Sequence, residues 1–89
     1  MLYRILTEDK AWAERGVAEI VLKEFDGFTM LRGVGFWKGG EERCLIIEIF
    51  TADTVEAHDK VARVAKEIKA YLEQESVLIQ RLECGGKFI

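Results

Sequence analysis

The chain has 89 residues, 49% of them apolar and 33% charged, which describes one small globular domain and excludes a disordered chain. Its net charge of −3 lacks the Lys and Arg excess that nucleic acid or an anionic membrane attracts. Proline is absent, which excludes a polyproline linker.

Residues 2–7 are short and apolar and predict a first strand. From Asp9 the period changes: Ala13, Val17, Ile20, Val21 and Phe25 recur at spacings of three and four, one face of an amphipathic helix. Glu19 and Lys23 fall as an i,i+4 pair on its wet side. Gly16 costs this helix up to about 1 kcal/mol relative to alanine and suggests a close approach between backbones. Asp26-Gly27 predicts the helix end. Residues 28–37 then alternate, with Phe28, Met30, Val34 and Phe36 on one face and Thr29, Leu31 and Trp37 on the other. Lys38-Gly39-Gly40-Glu41-Glu42 predicts a turn, and residues 43–50 form the strongest strand pattern of the chain.

Asp53 and Glu56 read as a capping box. The helix it opens carries Ala57, Val61, Ala65, Ile68 and Leu72 on one stripe. Residues 76–82 predict a fourth strand, and Gly85-Gly86 bends the tail before Phe88-Ile89. The order βαββαβ predicts a single ferredoxin-like α+β domain over 1–89, with both helices on one face of a four-stranded antiparallel sheet.

Such a sheet has one face without helices, so its third strand should alternate apolar and polar. Instead Leu45, Ile47 and Ile49 mark one face, and Cys44, Ile46 and Phe50 the other, broken only by Glu48. Each large aliphatic left in water forgoes about 1.5–3 kcal/mol. The bare face therefore predicts cover by identical chains, with Cys44, Ile46, Glu48 and Phe50 in a homodimer or homotrimer interface. A tail folded back over that face, or a different partner chain, are the competing readings.

Several motifs are weaker than they look. Gly33-Val34-Gly35 starts like a dinucleotide fingerprint, but no helix follows it. Arg32-Gly33-Val34-Gly35-Phe36 half-matches an RNA-recognition segment, on the wrong strand and in an acidic chain. Cys44 and Cys84 lack metal or disulfide spacing and read as buried free thiols. His58 has no visible partner for catalysis or metal binding, and no pattern specifies a cofactor. Glu48 could pair with Arg4 or Arg81, and is the most plausible catalytic carboxylate if there is one. Trp12 and Trp37 read as packing anchors. The best ligand-binding stretch is Lys38-Gly39-Gly40, where glycine amides and a lysine could meet an anion, with Gly35 and Trp37 beside it. Met1-Leu2-Tyr3-Arg4 opens no secretory leader and no apolar run approaches a membrane span, so the expected setting is cytoplasmic.

Gly27-x-Thr29, followed by Gly33-x-Gly35-x-x-Lys38-Gly39, resembles the second strand of PII signal-transduction proteins. That resemblance implies a trimer that buries its open sheet faces centrally and binds adenine nucleotides in clefts between subunits. Two parts of the family pattern are missing. Almost nothing remains of the long loop that would lie between Gly39 and Arg43, and the glycine-rich phosphate loop is replaced by Tyr71-Leu72-Glu73-Gln74-Glu75-Ser76. The resulting expectation is a non-enzymatic regulatory module that binds a small molecule or a protein. A small dimeric α/β-barrel enzyme, of isomerase or oxygenase type, or an assembly or inhibitor protein are the alternatives.

Overall fold

A computed structural model describes residues 1–87 and 89. The elements are β1 (Leu2–Glu8), α1 (Glu14–Leu22), β2 (Thr29–Trp37), β3 (Gly40–Phe50), α2 (Val55–Tyr71) and β4 (Leu78–Leu82). The strands form one antiparallel sheet in the order β2-β3-β1-β4. This is the expected ferredoxin-like α+β arrangement, with β3 and β1 in the sheet interior.

Both helices cover one face. Beneath them lie Tyr3, Ile5, Leu45, Ile47 and Ile49 from the sheet, packed with Val17, Ile20, Val21, Val61, Val64 and Ile68. Thr7 is the buried polar side chain of this layer, and its hydroxyl bonds the Gln74 side chain. Ion pairs tie the two helices at their rims: Lys23 to Glu67 at 2.9 Å and Arg63 to Glu24 at 3.1 Å. Lys23 thus reaches across to α2 rather than along α1 to Glu19. Arg63 donates to Glu24, which holds that carboxyl below its ordinary range.

Several expected details shift. The cap of α2 is Thr54, whose hydroxyl accepts from the Ala57 amide at 3.1 Å, so Asp53 stands one residue outside the helix. α1 stops at Leu22, before Asp26-Gly27, and the Phe25 amide closes back on Val21. Gly16 admits a side chain rather than a backbone: the Tyr71 phenol lies where its Cβ would be. Cys44 is half-buried on the open face and Cys84 is exposed, so neither is a core thiol. Trp12 and Trp37 are both largely exposed and anchor no core. His58 is exposed, with its ring 6.1 Å from that of Tyr3.

The hairpin differs most. Its turn is only Lys38-Gly39, with φ of 48° and 78°, the pair of positive values a two-residue type I′ turn requires. β3 therefore begins at Gly40, and Gly40–Arg43 pairs with Val34–Trp37, tied at its base by the Asp9 amide, which donates to the Arg43 carbonyl at 3.3 Å. β1 joins β3 only from Cys44 onward. The result is a two-stranded arm that projects past the rest of the sheet and makes the molecule 39 Å long against 24 and 23 Å in the other directions. Among the described residues no helix is long and apolar enough to cross a membrane.

Candidate functional site

Register places the open face residue by residue. Leu31, Ile46, Leu6 and Leu78 form one row across all four strands. Thr29, Glu48, Arg4 and Gln80 form the next, and Phe50, Leu2 and Leu82 the one after. One polar row thus lies between two apolar rows. Its middle is the pair Arg4 Nε to Glu48 Oε2 at 2.7 Å. Arg81, the other partner considered for Glu48, stands opposite Tyr3 and so on the helix side. Cys44, Ile46, Glu48 and Phe50 all stand on this open face, as their alternation requires. Leu31, Phe50 and Leu78 are exposed there.

The tail touches one corner of the face. Gly86 lies so close to the Phe50 ring that a Cβ would come within 2.7 Å of its Cζ. Phe50 still exposes 41% of its surface, so this contact covers an edge and not the rows. The part of the expected tail cover that involves Phe88 lies outside the described residues.

The residues of the glycine-rich motif separate into two places. Gly27 and Thr29 line a hollow of about 530 Å³ with Phe28, Glu48, Phe50 and Thr51, where the loop after α1 meets the end of β3. The loop reaches this position because α1 ends early and Phe25 and Phe28 pack back against the core. Gly35, Trp37, Lys38, Gly39 and Gly40 instead lie on the projecting arm. Lys38 Nζ sits 5.8 Å over the Trp37 ring, a cation–π contact at an exposed turn. Thr29 and Trp37 bound β2, roughly 27 Å of extended strand. The hollow and the Trp37–Gly39 end of the motif therefore lie too far apart to enclose one small ligand within a single chain.

The hollow brings together what the sequence left scattered: Glu48 with Thr29, Gly27 and the rings of Phe25, Phe28 and Phe50. It combines apolar walls with the carboxylates of Asp26 and Glu48 and the threonines Thr29 and Thr51, the composition of a small-molecule site. Register arithmetic could have joined Thr29 to Glu48. Nothing in the sequence indicated that the loop would close against Phe50 and Thr51.

A second groove of about 640 Å³ lies on the helix side, between α1 and the start of β2, lined by Trp12, Arg15, Phe28 and Met30 among others. Its rim holds Arg32, paired with Glu14 at 2.5 Å and Asp9 at 3.2 Å. Those carboxylates, the Glu14 bond first, raise the Arg32 guanidinium further above its ordinary value. Among the described residues no group of three or more His, Cys, Asp or Glu could hold a metal ion.

No family model matches the chain, and no curated protein matches it. Among solved structures, a phage SAM lyase in complex with S-methyl-5'-thioadenosine is similar, with a TM-score of 0.59 and 21% sequence identity. The match covers 88% of this chain and 76% of that one. At that identity the likeness is one of fold.

Proposed function

We propose that the protein is a homo-oligomeric, PII-like binding module that covers its open sheet face with identical chains and takes an adenosine-type small molecule at a cleft between them. The observation that carries the reading is the open face itself, two apolar rows around one polar row. Leu31, Phe50 and Leu78 stand exposed on it and Leu2, Leu6, Ile46 and Leu82 are only half-buried. At about 1.5–3 kcal/mol for each side chain fully buried, their cover is worth several kcal/mol to a domain of small stability. Assembly supplies that cover, as it does for other self-complementary faces.

The motif supports the same reading. Its Gly27-x-Thr29 half lines the hollow and its Gly35-to-Gly39 part lies on the arm, so one chain can offer each to a neighbour. The ligand class is supported by the similar fold that holds S-methyl-5'-thioadenosine. A nucleoside fits the chain better than a triphosphate, because the segment Tyr71–Ser76 presents Glu73 and Glu75 where the family has a phosphate loop. The test is titration calorimetry with S-methyl-5'-thioadenosine, AMP and ATP, alongside light scattering for mass. An oligomer that binds the nucleoside or monophosphate more tightly than ATP supports the proposal. A monomer, or an oligomer that binds none of them, overturns it.

A second reading is an enzyme on the same scaffold, favoured by the lyase named for the similar structure. Glu48 lies in the hollow, but Arg4 already holds it at 2.7 Å, which suits a structural pair more than a free acid. Release of S-methyl-5'-thioadenosine from SAM, lost in Glu48→Gln, would select this reading.

A further inference from the structure

The open face alone is small. Two strands paired over seven residues, flanked by two paired over five and all about 4.8 Å apart, give a flat patch of roughly 380 Å². A stable interface buries about 800 Å² on each partner. The missing area has to come from elsewhere on the molecule, and the arm is what the open side has left. Phe36 and Trp37 expose 76% and 69% of their surfaces on it, and a two-stranded ribbon of this kind is marginal in water unless something packs against it.

The side of the arm continuous with the open face carries Gly33, Gly35, Trp37, Gly40, Glu42 and Cys44. It is almost flat, with Trp37 as its one large side chain. Gly33 has a reason within its own chain: a Cβ there would press on Cys44 Sγ at 3.1 Å and on Ile46 Cδ1 at 3.3 Å. Gly35 has none. A Cβ there would meet nothing nearer than the Glu42 carbonyl at 3.8 Å, and its φ is not among the positive ones. A glycine inside a regularly paired strand, with no internal need, often marks a place where a ligand or another backbone approaches closely.

We infer that the arm of each copy lies flat across the open face of a second copy, with Gly35 admitting the neighbouring backbone and Trp37 seated among that copy's apolar rows. This rests on the homo-oligomeric reading above and names the part of the chain that makes the contact. The arm, two strands of four residues, adds roughly 130 Å² of flat ribbon and continues the face without a step. Trp37 is then an assembly residue, which leaves Lys38 at the turn free to face a ligand.

The experiment uses the full chain with Trp12→Phe, which leaves Trp37 as the one tryptophan of the original two. Acrylamide quenching of its fluorescence is read alongside sedimentation over a dilution series. Gly35→Val and an arm-shortened chain lacking residues 36, 37, 40 and 41 are run in parallel. The valine favours a strand, so it leaves the isolated fold intact while blocking the approach. The deletion moves the native Lys38-Gly39 turn down to the Gly35–Glu42 pair and touches no core residue. The expected result is that quenching drops several-fold on assembly and that both arm variants are folded but weaken assembly by at least about tenfold. If the protein assembles with Trp37 still fully quenched, and both arm variants assemble like the parent, the arm inference is overturned and the homo-oligomeric reading survives. If the parent chain is a monomer throughout, both are overturned.

Discussion

Arg4 and Glu48 face each other across β1 and β3, Nε to Oε2 at 2.7 Å, in the middle of the sheet face that the helices leave bare. In an isolated chain such a half-exposed pair is worth about 0–1 kcal/mol. Buried between copies, it has a different consequence: loss of one partner strands a charge, at about 3–5 kcal/mol, while replacing both by apolar groups is neutral or better. Arg4→Met alone should therefore weaken assembly strongly, and Arg4→Met with Glu48→Leu should restore it. Dissociation constants from sedimentation check this, and equal, small effects in both variants would place the pair in water.

Thr54, and not Asp53, satisfies the first turn of α2. Thr54→Ala should cost about 1 kcal/mol of stability and Asp53→Ala much less. Urea unfolding of the two variants decides between the caps, and the opposite ranking would return the cap to Asp53.

Gly16 and Tyr71 are coupled. An alanine in a helix normally gains up to about 1 kcal/mol over glycine. Here its Cβ occupies the space of the Tyr71 ring, which must swing away from the Trp12 ring it meets edge-on at 5.5 Å. That contact is worth about 0.5–1.5 kcal/mol, so the two effects nearly cancel. Gly16→Ala should be close to neutral in the parent chain and stabilising in Tyr71→Ala. Equal stabilisation in both backgrounds would show that the ring does not occupy that space.

The Glu24–Arg63 pair gives a pH signature. Arg63 lowers the Glu24 carboxyl from its ordinary 4.5, so its contribution to stability is present above that value and is lost as pH falls through the lower folded one. Glu24→Gln should therefore be less stable than the parent near neutrality and match it in strong acid. A gap between the two that persists unchanged into acid would rule out this titration. Since both groups stand at the surface, the gap should also shrink in high salt.

The fold was readable because three signals agreed: the helical stripe from Ala13 to Val21, the stripe from Ala57 to Leu72, and the doubly apolar strand ending at Phe50. The open face was equally readable, since alternation along β3 fixes which side Cys44, Ile46, Glu48 and Phe50 take. What pattern could not reach were the features set by register and by loop closure. Lys38 accepts a positive φ, so the turn is two residues long and the strand pattern continues through Gly40–Arg43 as an arm. Trp37 looked like an anchor because tryptophan usually is one, but β1 stops short of it and leaves it nothing to anchor against. The hollow beside Glu48 depends on where the loop after α1 lands, and no local spacing encodes that.

Sedimentation equilibrium at micromolar concentration, on the parent chain and on Leu6→Lys with Ile46→Asp, whose opposite charges face each other across the strands, tests self-association most directly. Both side chains lie on the open face, outside the core under the helices, so the variant should fold normally. The expected outcome is an assembled parent and a folded, monomeric variant. A parent chain that sediments as a stable, folded monomer would contradict the proposal.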